Sequence, residues 1–123
     1  MKTLALFLAA SLLAAPAVAQ PAGELDYAPG SLGYDALVRG DLAKAEIQLR
    51  SDRTVDANDP ARLLNLGQVL ARTGRIAEAA DVFRRAKAME DGELVLADGS
   101  AVSSREAARR ALRSLPEARF SSR

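Results

Sequence analysis

The chemistry in this sequence is concentrated in a few places. Arg105, Arg109, Arg110 and Arg113 crowd the C-terminal end, and two acidic pairs, Asp56/Asp59 and Glu90-Asp91, stand earlier in the chain. Paired carboxylates are what a glycosidase needs, one protonated as acid and one ionised as base or nucleophile. Such a pair also needs a deep aromatic-lined cleft, which a chain with 3 Phe, 2 Tyr and no Trp can hardly build. Both acidic pairs fall in turns, where a carboxylate serves as a helix cap. The chain has no Cys and no His. Thiol nucleophiles, disulfides, imidazole or thiolate metal sites and His-based acid–base catalysis are therefore excluded. Gly30, Gly33 and Gly40 lack the lysine of a phosphate loop and the spacing of a dinucleotide fingerprint. No Ser sits in a nucleophile elbow. The sequence reads as a non-enzyme without cofactor or metal.

The elements that position these side chains are expected to be helical. The 123 residues suffice for one domain, and 49% apolar with 27% charged residues is a globular balance. Alanine is abundant and aromatics make up only 4%, a mixture that favours closely approaching helices over a sandwich of strands. The charge is uneven along the chain. Residues 24–59 carry eight acids against four bases, and residues 105–123 six Arg against two Glu.

The first residues read as an address. One positive charge at Lys2 precedes the apolar run Leu4 to Leu13, which is too short to span a bilayer but suits the core of a secretory signal. Pro16 and the small residues Ala17-Val18-Ala19 follow, so cleavage is expected after Ala19 and the protein in the periplasm or secreted. The mature chain would then hold sixteen basic and sixteen acidic side chains. Overall neutrality and export both argue against a nucleic-acid partner.

Shifting the chain against itself by 34 residues aligns Leu32-Gly33 with Leu66-Gly67, Gly40 with Gly74, Ala43 and Ala45 with Ala77 and Ala79, and Arg50 with Arg84. In the second copy Asp59 and Pro60 signal a helix start. Leu63, Leu66 and Leu70 form an apolar face around Gly67. Gly74 supplies the left-handed residue of a turn, and Ile76, Ala79, Ala80, Phe83, Ala86 and Met89 form the stripe of a second helix, ended by Gly92.

These residues resemble the tetratricopeptide repeat family, whose pattern falls here on Leu63, Leu66, Gly67, Leu70, Gly74, Ala79, Phe83 and Ala86. The first copy carries Gly33, Gly40 and Ala45 but has Pro29, Leu49 and Asp52 at the places of Leu63, Phe83 and Ala86. The resemblance implies a mainly helical protein, an α-solenoid fragment of two helix–turn–helix units over 31–92, after a linker over 20–30. It also implies a non-enzymatic scaffold of the cell envelope. The first helix of each unit would line a concave face that takes a peptide or protein partner. On that face the expected contacts are Tyr34, Asn65, Gln68 and Arg72, with Asn65 bonding a ligand backbone and Arg72 a carboxylate. The family's peptide-carboxylate binders use an Asn at the place of Asn65. Self-association would deepen a groove that two units leave shallow.

A third unit is absent, since Ala101 and Ala108 stand where Gly is needed. Glu93 to Ala97 and Ser100 to Val102 instead predict a β-hairpin over 93–103, with Asp98-Gly99 as a type I′ turn. Ser103 and Glu106 open a C-terminal helix over 104–116 as a capping box, and 117–123 form a tail. This helix is expected to cover the open end of the last repeat. Its arginines leave one alternative function, the binding of anionic lipid or another anionic surface.

Overall fold

The structure, a computed structural model, describes residues 21–22, 30–96 and 98–117. The expected signal at 1–19, its cleavage site, most of the 20–30 linker, Ala97 and the tail beyond Glu117 lie outside the described residues. The chain is mainly helical. Helices α1 (Tyr34–Arg39), α2 (Leu42–Ser51), α3 (Pro60–Arg72) and α4 (Ile76–Ala88) form two successive helical hairpins. Strands β1 (Glu93–Val95) and β2 (Ala101–Ser103) then pair antiparallel, and α5 (Ser104–Ser114) follows directly.

Identical hydrogen bonds turn the chain between the helices of each hairpin. Asp41 N donates to Ala36 O and Arg75 N to Leu70 O, at 2.8 and 2.9 Å. Gly40 N donates to Leu37 O and Gly74 N to Ala71 O, both at 3.1 Å. Every donor and acceptor of the first turn lies 34 residues before its counterpart. Gly40 and Gly74 have φ of 75° and 82°, the left-handed conformation with which such helix ends close without a Cβ penalty.

The hairpins also pack alike. Ala45 and Ala79 are fully buried, and Leu49 and Phe83 occupy matching places in one core. A Cβ on Gly33 would stand 3.3 Å from Leu49 Cγ, and one on Gly67 would stand 2.3 Å from Phe83 Cε1. The small residue lets the second helix approach.

The caps of α3 follow the sequence: Asp59 accepts from Ala61 N at 2.9 Å and from Arg62 N at 3.2 Å, with Pro60 at the first turn. The start of α1 does not. It was expected near Ser31, yet Ser31 and Leu32 are fully buried in a turn before it, and Gly33 at φ 61° starts the helix only at Tyr34. Burying Leu32 in the core wins over the extra turn of helix.

Three further boundaries move. Helix α4 stops at Ala88, not at Gly92; Gly92 N donates to Ser104 Oγ at 3.0 Å, and its carbonyl accepts from Ser104 N at 2.7 Å. The turn of the β-hairpin is not type I′, which requires positive φ at both central residues. Gly99 has φ 81°, and no described non-glycine residue is positive. Gly99 N donates to Leu96 O at 2.9 Å and Leu96 N to Ser100 O at 2.8 Å, a three-residue loop with glycine at its left-handed place. Finally, α5 ends at Ser114, and Leu115 caps it before Pro116.

The hairpin and α5 complete the core. Leu94, Ala108 and Ala111 are buried, while Val102, Leu112 and Leu115 pack against them. Helix α5 lies against α4 and reaches α3. Helix α3 thereby becomes the central helix, with nine of its thirteen residues buried.

Candidate functional site

Asn65, expected on an open face, is fully buried. Its carboxamide oxygen accepts from Ala22 N at 2.9 Å, and its Nδ2 donates to Ala22 O at 3.3 Å and to Leu32 O at 3.0 Å. The side chain thus bonds an extended backbone. The backbone is the chain's own. A buried amide needs such partners, because its unpaired desolvation costs about 1–3 kcal/mol.

Ala22 also pairs antiparallel with Leu96, next to β1. The segment at Pro21–Ala22 is therefore held between Asn65 on α3 and the residue that extends the β-hairpin. Beside it lies a cavity of about 140 Å³ with a mainly apolar lining of Leu64, Leu94, Leu96, Val102, Ala107 and Ala111. Gln68 and Arg110 supply its polar groups. The face of α3 that the two helical hairpins alone would leave open is covered by the chain's own N-terminal segment, the β-hairpin and α5.

The four expected contact residues are not equivalent. Asn65 and Gln68 both border the Ala22 segment. Arg72 turns toward α1, where its Nη1 donates to Leu37 O at 3.1 Å and so closes the C-terminal end of that helix. This bond commits one face of its guanidinium to the fold rather than to a ligand carboxylate. Tyr34 opens α1 and is half-buried.

Sequence reasoning missed Ala22, Arg62 and the Glu46–Arg75 pair. Arg62 is buried, and its Nη1 donates to Asp52 O and Val55 O at 2.8 and 2.6 Å, which holds the loop between α2 and α3. Only its place four residues after Asn58 and three after Asp59 marked it, and that reads as solvated surface. Arg75 grips Glu46 through two bonds of 2.9 and 2.6 Å, and Arg50 adds a third at 3.0 Å. Chiefly through the Arg75 bonds, the Glu46 pKa falls from 4.5 to about 2.

Two further acids, Asp91 and Glu106, are engaged around the start of α5. Asp91 accepts from Arg105 N, Ser103 Oγ and Ser104 Oγ at 3.0, 2.7 and 3.2 Å. The Arg105 amide foremost, then the Ser103 hydroxyl, lowers its pKa. Ser103 Oγ accepts from Glu106 N at 3.2 Å, one half of the expected capping box. The Glu106 carboxylate turns instead to Arg109, Arg110 and Arg113 at 2.8, 2.9 and 3.4 Å. The bond from Arg110 is the main cause of its lowered pKa. Each of these carboxylates is held ionised, as a fixed acceptor. Among the described residues no three acidic side chains are grouped to hold a metal ion, and no helix is long and apolar enough to cross a membrane.

No family model, curated protein or solved structure matches the chain. Its reading rests on its own geometry.

Proposed function

We propose that the protein is a non-enzymatic scaffold of the cell envelope, built on two tetratricopeptide-like units, that holds an extended peptide of a partner protein along α3. The observation that carries this reading is the Asn65 carboxamide bonded to both the N–H and the C=O of one extended residue. Backbone pairing of this kind gives affinity without demanding a sequence, and neighbouring pockets then choose side chains. The 34-residue recurrence of the turn hydrogen bonds supports the repeat. The apolar run at Leu4 to Leu13 supports export.

The alternative, an anionic surface bound by α5, is less favoured. Arg109, Arg110 and Arg113 are exposed, but all three converge on Glu106, which neutralises one of their three charges and holds the side chains along the helix.

Site-specific photocrosslinking in cells tests the proposal. A photoreactive side chain in place of Gln68 should yield a discrete protein adduct, and the same group at the exposed Asp81 on α4 should not. Equal adducts at both positions, or none at 68, overturn the groove as the working surface. A leader that stays attached in the cell overturns the export reading.

A further inference from the structure

We infer that this groove is occupied in the resting protein by the chain's own segment at Pro21–Ala22, which acts as a built-in competitor for peptide ligands. The inference rests on the reading of the groove as a peptide site, and it fixes the ligand class. The ligand is an extended peptide with an apolar, N–H-bearing residue at the place of Ala22.

The class follows from three contacts. The Asn65 oxygen needs a donor, which Ala22 N supplies at 2.9 Å, so proline is excluded at this position. Proline is accepted one residue earlier, where Pro21 stands. Ala22 is 3% exposed and itself lines the mainly apolar cavity that Arg110 borders, so a charged side chain there, a second guanidinium above all, is buried without a partner and rejected. The antiparallel pairing with Leu96 fixes the direction of the incoming strand. The 140 Å³ cavity alongside leaves apolar space for a neighbouring side chain of a better ligand than the resident one.

The competition follows from connectivity. Seven residues, 23–29, link Ala22 to Gly30 at the edge of the folded core. A segment on so short a tether has an effective concentration on the order of millimolar. A free peptide of the same sequence must exceed that value, since its apparent affinity is its intrinsic affinity multiplied by the fraction of molecules whose groove is free. A partner with a larger group for the cavity would displace the segment and free it.

The test uses the full chain as it accumulates in the cell and a fluorescent synthetic peptide, QPAGELDY, copied from residues 20–27. Ala22→Arg in the protein should evict the resident segment. Anisotropy titration should then show binding about tenfold or more tighter than to the native chain. Asn65→Ala, and Ala22→Arg within the peptide, should each abolish it. Equal binding to native and Ala22→Arg chains overturns self-occupancy and leaves the peptide site standing. No binding by an Ala22→Arg chain with native helical circular dichroism overturns the ligand class as well. Should Ala22→Arg not fold, the native chain still decides. Several millimolar unlabelled peptide should move the Ala22 amide resonance toward its solvent-exposed position, and an unmoved resonance overturns the proposal.

Discussion

At Gly67 a Cβ would lie 2.3, 2.6 and 2.8 Å from three ring atoms of Phe83, and that ring is itself buried in the core. Gly67→Ala therefore sets two effects against each other. Alanine in mid-helix is favoured over glycine by about 1 kcal/mol, while overpacking a tight core costs about 1–3 kcal/mol. Because the clash falls on a packed ring, the second effect wins, and urea melts should show a net loss of stability. A gain would mean that the ring has somewhere to go. Ser31 presents the opposite case. It is fully buried and its hydroxyl has no hydrogen-bond partner among the described residues, so the group was desolvated without return. Ser31→Ala should leave stability unchanged or raise it by about 1 kcal/mol in the same melts. A loss of that size would reveal a partner for the hydroxyl. Gly67 was legible in the sequence because a period of 34 aligned it with Gly33, within the apolar face of a helix. Ser31 was not, since a serine beside a glycine reads equally as a turn on the surface.

Between elements, Glu46 on α2 is tied to Arg75, the residue at the N-cap position of α4. The Glu46 pKa lies near 2 in the folded chain against 4.5 ordinarily. A depressed carboxylate contributes stability that is fully present above about pH 4.5 and lost as pH falls toward 2. With the Arg75 side chain 36% exposed, solvent screening leaves about 1 kcal/mol of the effect. Glu46→Gln should thus lower stability by about that much at pH 7, and the gap to the native chain should close between pH 4.5 and 2. A gap that stays constant with pH would mean the pair contributes through packing alone. The helices themselves were readable, because α3 and α4 carry their own caps, turn glycine and apolar stripes. Helix α1 was misread by three residues, since local periodicity cannot say that Leu32 will be buried before the helix starts. The β-hairpin was found but its turn type was not. Asp98-Gly99 suits both loops, and the backbone bond from Leu96 N to Ser100 O selects the longer one. The site was half legible. Asn65 was named for backbone bonding, but a contact 43 residues away in sequence leaves no trace in any local pattern, so its occupant could not be foreseen.

For the whole molecule, two helical hairpins do not make a closed core, and the C-terminal quarter supplies what is missing. Leu94, Ala108 and Ala111 enter the same cluster as Phe83 and Leu64, with α5 laid against α4 and α3. Each such apolar side chain contributes about 1–2 kcal/mol by burial. A domain's total stability is only about 5–15 kcal/mol. The tail is thus a large fraction of what holds the fold. It also seals itself on: Ser104 and Gly92 exchange two hydrogen bonds, and Asp91 caps the start of α5. Deleting residues 93–123 should expose the outer side of α4 and the Leu64 side of α3 together. The expected result is a large loss of helical circular dichroism or concentration-dependent aggregation in sedimentation. The same deletion removes Leu96, one of the two walls that hold Ala22. Asn65 would then be left facing water, and peptide binding should disappear even where some helix survives. If the shortened chain melts like the whole one, α5 is an appendage. If it also keeps peptide binding, the groove does not need the hairpin edge, and Asn65 alone must account for it.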